Sequence, residues 1–272
     1  MQSIKFLLCS IVLLWGAVFP AAAQNNNSWN GKQCAVVLTY DDAIDIDIDH
    51  VLPALDSLNL KGTFYLIGSS PVINKRMEAW RTAARQGHEL GNHALFHPCD
   101  GSRPGRSFVS PDFDLSKYTV NRAVTEIQLN NTFLKAIDGK DRRTFAYPCG
   151  DLKIGDVYFY DGLKNDFAGA RGTSPGLQTA AQVNLSDINC YAINGQSADY
   201  MIDLVKKAQA SRTLLVFLFH GVGGGHSLNV DQGEHSKLLH YLKQEEKSIW
   251  IAPMVEVAEW ISNYQNSKKQ SQ

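Results

Sequence analysis

Short apolar runs alternate with stretches of helical periodicity along most of this chain, and that alternation is the strongest constraint on its fold. Residues 35–40 (Ala-Val-Val-Leu-Thr-Tyr) form such a run, and residues 44–58 follow with Val51, Leu52, Leu55 and Leu58 at helical spacing. The same pattern predicts strands at 62–67, 88–92, 144–147, 167–171, 214–219 and 249–252. Helices are predicted through Met77, Trp80 and Ala84, and over about 117–137, 198–210, 231–244 and 255–263. Neighbouring parallel strands need a crossover, usually a helix, so this alternation means an α/β fold with a parallel sheet, open or closed into a barrel. No internal repeat or interdomain linker breaks it, and one domain is expected over residues 34–264.

A parallel sheet collects reactive groups at the carboxyl ends of its strands. Asp41 and Asp42 end the first apolar run; His93 and His97 follow the third. Tyr147-Pro148-Cys149-Gly150 ends another strand, and His220 ends the run 214–219. Adjacent acids at a buried strand end cost free energy unless positive charge sits beside them. One carboxylate with two imidazoles is a common way to hold a divalent transition metal. Taken singly, each feature has an ordinary structural reading: an Asp-Asp turn, surface histidines, a core histidine. Their arrival together at strand ends weighs against coincidence.

The remaining features set the compartment. Lys5, an apolar stretch over residues 6–20 and Ala21-Ala22-Ala23 read as a secretory signal peptide cleaved after Ala23, so a secreted or periplasmic location is expected. Residues 24–33 form a short polar N-terminal segment, and residues 24–30 and the polar tail 265–272 read as disordered. No other apolar run approaches the ~20 residues of a membrane span. Twenty-six Lys and Arg balance 27 Asp and Glu, which leaves no basic excess for nucleic acid. Beyond the signal, Cys34, Cys99, Cys149 and Cys190 allow three pairings. Cys99 and Cys149 each follow a proline near the strand-end residues and are the favoured pair.

Four segments carry a family likeness: Thr39-Tyr40-Asp41-Asp42-Ala43, Asn92-His93-Ala94-Leu95-Phe96-His97-Pro98, Phe145-Ala146-Tyr147-Pro148-Cys149-Gly150 and Phe217-Leu218-Phe219-His220-Gly221. In this order they resemble the successive motifs of the polysaccharide deacetylase family, the NodB-homology domain of carbohydrate esterase family 4. The resemblance runs from about Cys34 to Ile261. It implies a distorted (β/α) barrel of about seven parallel strands. It also implies hydrolysis of N- or O-acetyl groups of a polysaccharide or oligosaccharide with one divalent metal, usually Zn²⁺, with Co²⁺ or another transition metal as an alternative. Asp42, His93 and His97 would then hold the metal, Asp41 would be the general base and His220 the general acid. The N–H of Cys149 would meet the oxyanion, and Tyr147 and Tyr40, flanking the motif residues, would contact the sugar.

The departures from the family pattern are Ala43 for Gly, Ala94 for Ser or Thr, Ala146 for the base-orienting Arg and Gly221 for Asp. Arg171, at the end of its own predicted strand, is expected to reach Asp41 in place of the missing Arg. No carboxylate partner for His220 is recognisable between Gly162 and Ser186.

Other readings compete. Gly172-Thr173-Ser174-Pro175-Gly176 matches the G-x-S-x-G elbow of a serine esterase, with Asp187 or Asp199 and His220 in the right chain order, though Pro175 and Gly176 start a helix poorly. A carbohydrate-binding protein that kept the fold and lost turnover is a second alternative. Gly221-Val222-Gly223-Gly224-Gly225 lacks the Lys-Ser/Thr of a phosphate loop and reads as a flexible loop, with His226 turned to solvent in preference to touching substrate. The long loop 98–116, carrying Arg103, Arg106, Phe108 and Phe113, is a candidate substrate wall.

Overall fold

All eight residues of strand β1 (Cys34–Asp41) are buried in the computed structural model, which describes residues 28–270. The expected signal peptide, residues 24–27 and the last two residues lie outside the described part. A strand buried on both faces is the mark of a parallel sheet with layers on either side. Alternation divides its side chains. Val36, Leu38 and Tyr40 join the large core cluster with Leu55, Phe64, Leu204, Val205 and Leu238. Ala35 and Val37 face the other way, towards Ile188, Cys190, Val216, Leu218, Met254 and Val257. Thr39 and Asp41 share the parity of Ala35 and Val37.

The other strands are β2 (Thr63–Leu66), β3 (Glu89–Asn92), β4 (Phe145–Ala146), β5 (Ala170–Arg171), β6 (Tyr191–Ala192), β7 (Leu214–Phe219) and β8 (Ile249–Ile251). They run parallel in the order β5-β4-β3-β2-β1-β7-β6, with β8 added beside β1. β7 pairs along one edge of β1, from Ala35↔Leu214 to Tyr40↔Phe219. The other edge is shared: β8 pairs with Cys34 to Val36 and β2 with Thr39 to Asp41. The chain between β5 and β7 is irregular. Ile188 N donates to Ala170 O and Gly172 N to Ile188 O, while Tyr191 pairs with Phe217. This segment bridges the gap that a regular strand would fill, so the sheet curls into a distorted (β/α) barrel. Its path of seven strands, with β8 as an eighth, meets the expected count of about seven.

Helices α1 (Leu52–Ser57), α2 (Pro71–Arg85), α3 (Val120–Asp138), α4 (Ala198–Ser211), α5 (Gln232–Gln244) and α6 (Met254–Gln270) supply the crossovers and flanks. Side chains cap several: Ser70, Thr119, Ser197 and Asp231 accept from backbone N–H groups of the first turns of α2, α3, α4 and α5. The polar tail differs from expectation. α6 continues to Gln270, and Gln265 Nε2 donates to the carbonyls of Ala180 and Val183 at 2.8 and 2.9 Å. Those bonds tie a polar stretch to the core that composition alone marks as loose. At the other end Trp29 is buried and stacks on Trp260, at 5.2 Å between ring centroids.

Candidate active site

The carboxyl ends of β1, β3, β4, β5 and β7 meet on one face. β1 delivers Asp41 by its parity and then turns through Asp42 (φ 84°) and Ala43 (φ 56°), with Asp42 N held by the Tyr65 carbonyl at 3.1 Å. After β3, the segment carrying His93 and His97 is fastened by two buried amides. Asn92 Oδ1 accepts from Ala94 N, and Asn130 Nδ2 reaches Leu66 O, Asn92 Oδ1 and Ala94 O at 3.0–3.2 Å. Ala94 (φ 60°) and His97 (φ 52°) are left-handed too, as is Cys149 (φ 55°). Backbone of this kind is strained for residues with a Cβ and persists where surrounding contacts over-determine it.

Asp42 is the hub. Its Oδ1 lies 3.6 Å from His93 Nε2 and 3.7 Å from His97 Nε2, and its Oδ2 lies 3.9 Å from His220 Nε2 and 3.7 Å from His226 Nε2. The ligand atoms of Asp42, His93 and His97 all fall within 4.8 Å of one another, and Asp42 Oδ1 is buried with no hydrogen-bond partner. His93 Nδ1 donates to the Ala146 carbonyl at 2.8 Å, which leaves the Nε2 lone pair facing the carboxylate. The Nδ1 of His97 sits 3.6 Å from Cys99 Sγ. That sulfur belongs to a Cys99–Cys149 disulfide and carries no proton, so the imidazole is the donor there and Nε2 is again bare. A buried, unpartnered carboxylate oxygen facing two imidazole lone pairs is a donor set that fits a divalent cation.

Electrostatics separate the two acids. Burial pushes Asp41 up, but Arg171, with His93 and His220, outweighs it and holds the carboxyl below its ordinary value. Arg171 projects from the end of β5, buried, with Nη2 at 2.6 and 2.5 Å from the two Asp41 oxygens. Asp42 is raised, by burial and then by the Asp41 charge. Burial lowers His93 to about 3, and it lowers His97 and His220 as well. His93 and His97 are therefore neutral, the form in which an imidazole can bind a metal.

Cys149 lies in a tight turn after β4. Arg106 Nη2 donates to its carbonyl at 3.1 Å, and Arg106 and Arg103 both pair with the buried Asp151. These ion pairs and the Cys99–Cys149 disulfide fasten the loop 98–116 to the turn. Phe108, at 70% exposure, stands out from that loop.

Two expectations and one rival reading fail. Tyr40 is wholly buried on the helix side of β1, its hydroxyl 2.9 Å from His235 Nε2 and its ring stacked on Phe64 and Phe219. One residue of pleat separates it from the site face that Asp41 occupies. Tyr147 is likewise buried, packed on Phe145 and Phe159, with its hydroxyl donating to Ser186 O. Neither side chain is available to a sugar. Ser174 is exposed in a segment that forms no helix, and among the described residues no contact joins it to His220, so the elbow geometry of a serine esterase is not formed. The sequence reading also misplaces His226, which turns inward to Asp42. The glycine run before it was the available signal.

A model of the polysaccharide deacetylase family matches residues 29–157, the part that supplies Asp41, Asp42, His93, His97 and Cys149. Over that stretch the chain is similar to the polysaccharide deacetylases. A peptidoglycan-N-acetylglucosamine deacetylase of Bacillus cereus is 38% identical over 72 residues, which is 25% of this chain and 24% of that protein. Across three curated relatives the aligned share of their length is 28%, 8% and 24%. Solved structures extend the likeness of fold to most of the chain. A putative polysaccharide deacetylase from Mycobacterium smegmatis superposes with a TM-score of 0.60 at 14% identity, covering 86% of this chain and 91% of that one. A probable polysaccharide deacetylase from Pseudomonas aeruginosa gives 0.60 at 10% identity over 87% and 94%. No helix among the described residues is long and apolar enough to cross a membrane.

Proposed function

We propose that this chain is an exported, metal-dependent deacetylase that removes N- or O-acetyl groups from a polysaccharide or oligosaccharide, with residues 34–264 as its one catalytic domain. The observation that carries the reading is the convergence of Asp42, His93 and His97 on an unpartnered carboxylate oxygen, beside an Asp41 kept ionised by Arg171. Asp42, His93 and His97 would hold a divalent cation, Zn²⁺ by the character of these donors, which when bound would supply Lewis acidity for the acetyl carbonyl and a lowered pKa for water. Asp41 takes the proton of the attacking water, its lone pairs oriented by the guanidinium. His220, in its imidazolium form, gives a proton to the departing amine or hydroxyl and returns to the neutral ring. The N–H of Cys149, presented by the turn that Arg106 and the disulfide hold, meets the carbonyl oxygen as it gains charge.

The relative in Bacillus cereus makes the N-acetylglucosamine of peptidoglycan the first substrate to try. The test is acetate release from peptidoglycan, chitin oligomers and acetylxylan, with EDTA and after readdition of Zn²⁺ or Co²⁺. Activity lost to chelator and restored by metal supports the reading. Activity indifferent to chelator refutes it. Glycan binding with no acetate release from any substrate would mark a binding protein on the same fold. Asp41→Asn should abolish release while sparing metal affinity.

A further inference from the structure

The segment from Gly221 to Val230 is tied down rather than loose. Gly221 and Val222 pair with Asn229 and Val230, and Gly221 N and Gly223 N donate to Leu228 O and Val230 O. Asn229 braces the interior: its Oδ1 accepts from Gly224 N at 2.8 Å, and its own N–H reaches Asn194 Oδ1 at 3.1 Å. Gly223, Gly224 and Gly225 have φ of 72°, 130° and 81°. A Cβ on Gly221 would meet the Gly224 carbonyl at 2.3 Å, and one on Gly225 would press on Ile46 at 3.0 Å. Ordering three successive glycines carries a large entropic cost. The outcome is that one side chain, His226, returns over the site.

There the His226 ring stacks on His220, 4.8 Å between centroids and 15° from parallel. Leu228 N–H donates to His226 Nδ1 at 3.0 Å. This bond makes Nδ1 an acceptor and puts the proton on Nε2, the atom that faces Asp42 Oδ2 at 3.7 Å. His93 has the opposite arrangement, with Nδ1 donating to Ala146 O. His93 thus presents a lone pair to Asp42 and His226 an N–H. A protonated Nε2 is no metal ligand. At 3.7 Å the approach to Asp42 is electrostatic and longer than a hydrogen bond. Among the described residues no carboxylate beyond Asp41 and Asp42 faces His220.

We propose that His226 is a positioning residue of this centre, resting on the function proposed above. Its ring holds the His220 imidazole face to face and so fixes the orientation of the acid, and its Nε2–H faces the outer oxygen of Asp42 while Oδ1 is left to the metal.

Two measurements test it. Two-bond ¹H–¹⁵N spectra of the metal-free protein should show His226 protonated at Nε2 and bare at Nδ1; the reverse tautomer overturns the proposal. His226→Ala should lower kcat about 10- to 100-fold with KM and Zn²⁺ affinity, read against a chromogenic chelator, within about threefold of the parent. His226→Phe, which keeps a ring to stack on, should recover most of the loss. A kcat unchanged by His226→Ala, a parallel loss of Zn²⁺, or a Phe variant no better than Ala would each overturn it. Should the parent protein release no acetate from any glycan, the functional reading fails separately. The ring resonances of His220 then decide: narrow in the parent and in His226→Phe and broadened in His226→Ala if the proposal holds, equal in all three if it does not.

Discussion

Arg171→Met probes the centre most sharply. The guanidinium is buried, with Nη2 at 2.6 and 2.5 Å from the oxygens of an Asp41 that is itself 3% exposed. Unit charges about 4 Å apart attract by about 4 kcal/mol at an effective dielectric near 20. Removing one member of a buried pair costs about 3–5 kcal/mol, because the other charge is left unpaired. Chelator-treated Arg171→Met is therefore expected to lose about 3–5 kcal/mol of unfolding free energy at neutral pH. The sign of its pH dependence follows from Asp41. In the parent its folded pKa lies below the unfolded value, so the pair's stabilisation is present above the unfolded value and fades as pH falls through the folded one. Without Arg171, burial becomes the leading influence and raises Asp41, which then relieves its own penalty by taking up a proton as pH falls. Parallel urea titrations at neutral pH and at about pH 4 should show the gap between parent and variant shrinking with acid. The double variant Asp41→Asn/Arg171→Met should be less damaged than Arg171→Met alone, since no charge is stranded. Acetate release by Arg171→Met should fall, with the acid limb of its profile moved to higher pH. A loss under about 1 kcal/mol at neutral pH, the size of a solvent-exposed pair, would refute the reasoning, as would an equal loss at both pH values.

Other outcomes follow from the same geometry. His93→Ala should abolish binding of one equivalent of Zn²⁺, measured by elemental analysis after gel filtration. Asn130→Ala removes the amide shared by Leu66 O, Asn92 Oδ1 and Ala94 O, and should cost about 2–3 kcal/mol in urea unfolding while weakening Zn²⁺. Joint replacement of Cys99 and Cys149 by Ala opens a link across 50 residues and should cost about 2–4 kcal/mol, seen as a lower midpoint of denaturation. Ser174→Ala, at an exposed position off the site, should leave acetate release unchanged.

Sequence reached the strands where burial on both faces writes an unbroken apolar run. Leu214–Phe219 is found at its expected bounds, and β1 differs by a residue at each end. It could not reach Tyr191–Ala192, two residues whose strand identity comes from pairing with β7 rather than from any local pattern. The helical tail was hidden for a similar reason: its hold on the core is two bonds from Gln265 to a distant loop. Tyr40 and Tyr147 were legible as motif neighbours, but adjacency in sequence is opposition in a pleat. Strand-end logic brought Asp41, Asp42, His93, His97, Arg171 and His220 to one face. His226 lay beyond that logic because no strand delivers it; a loop held by Asn229 and three left-handed glycines does.

Five of the eight left-handed residues with side chains among the described residues gather where the chemistry is proposed: Asp42, Ala43, Ala94, His97 and Cys149. Each forgoes about 1–2 kcal/mol relative to a relaxed backbone. A selection for heat tolerance would find easy gains there, and Ala43→Gly and Ala94→Gly are the obvious first hits. Those same exchanges slacken the turns on which Asp42, His93 and His97 ride. Variants hardened at these positions should trade turnover for melting temperature, and engineering of this chain has more room at the far ends of the strands.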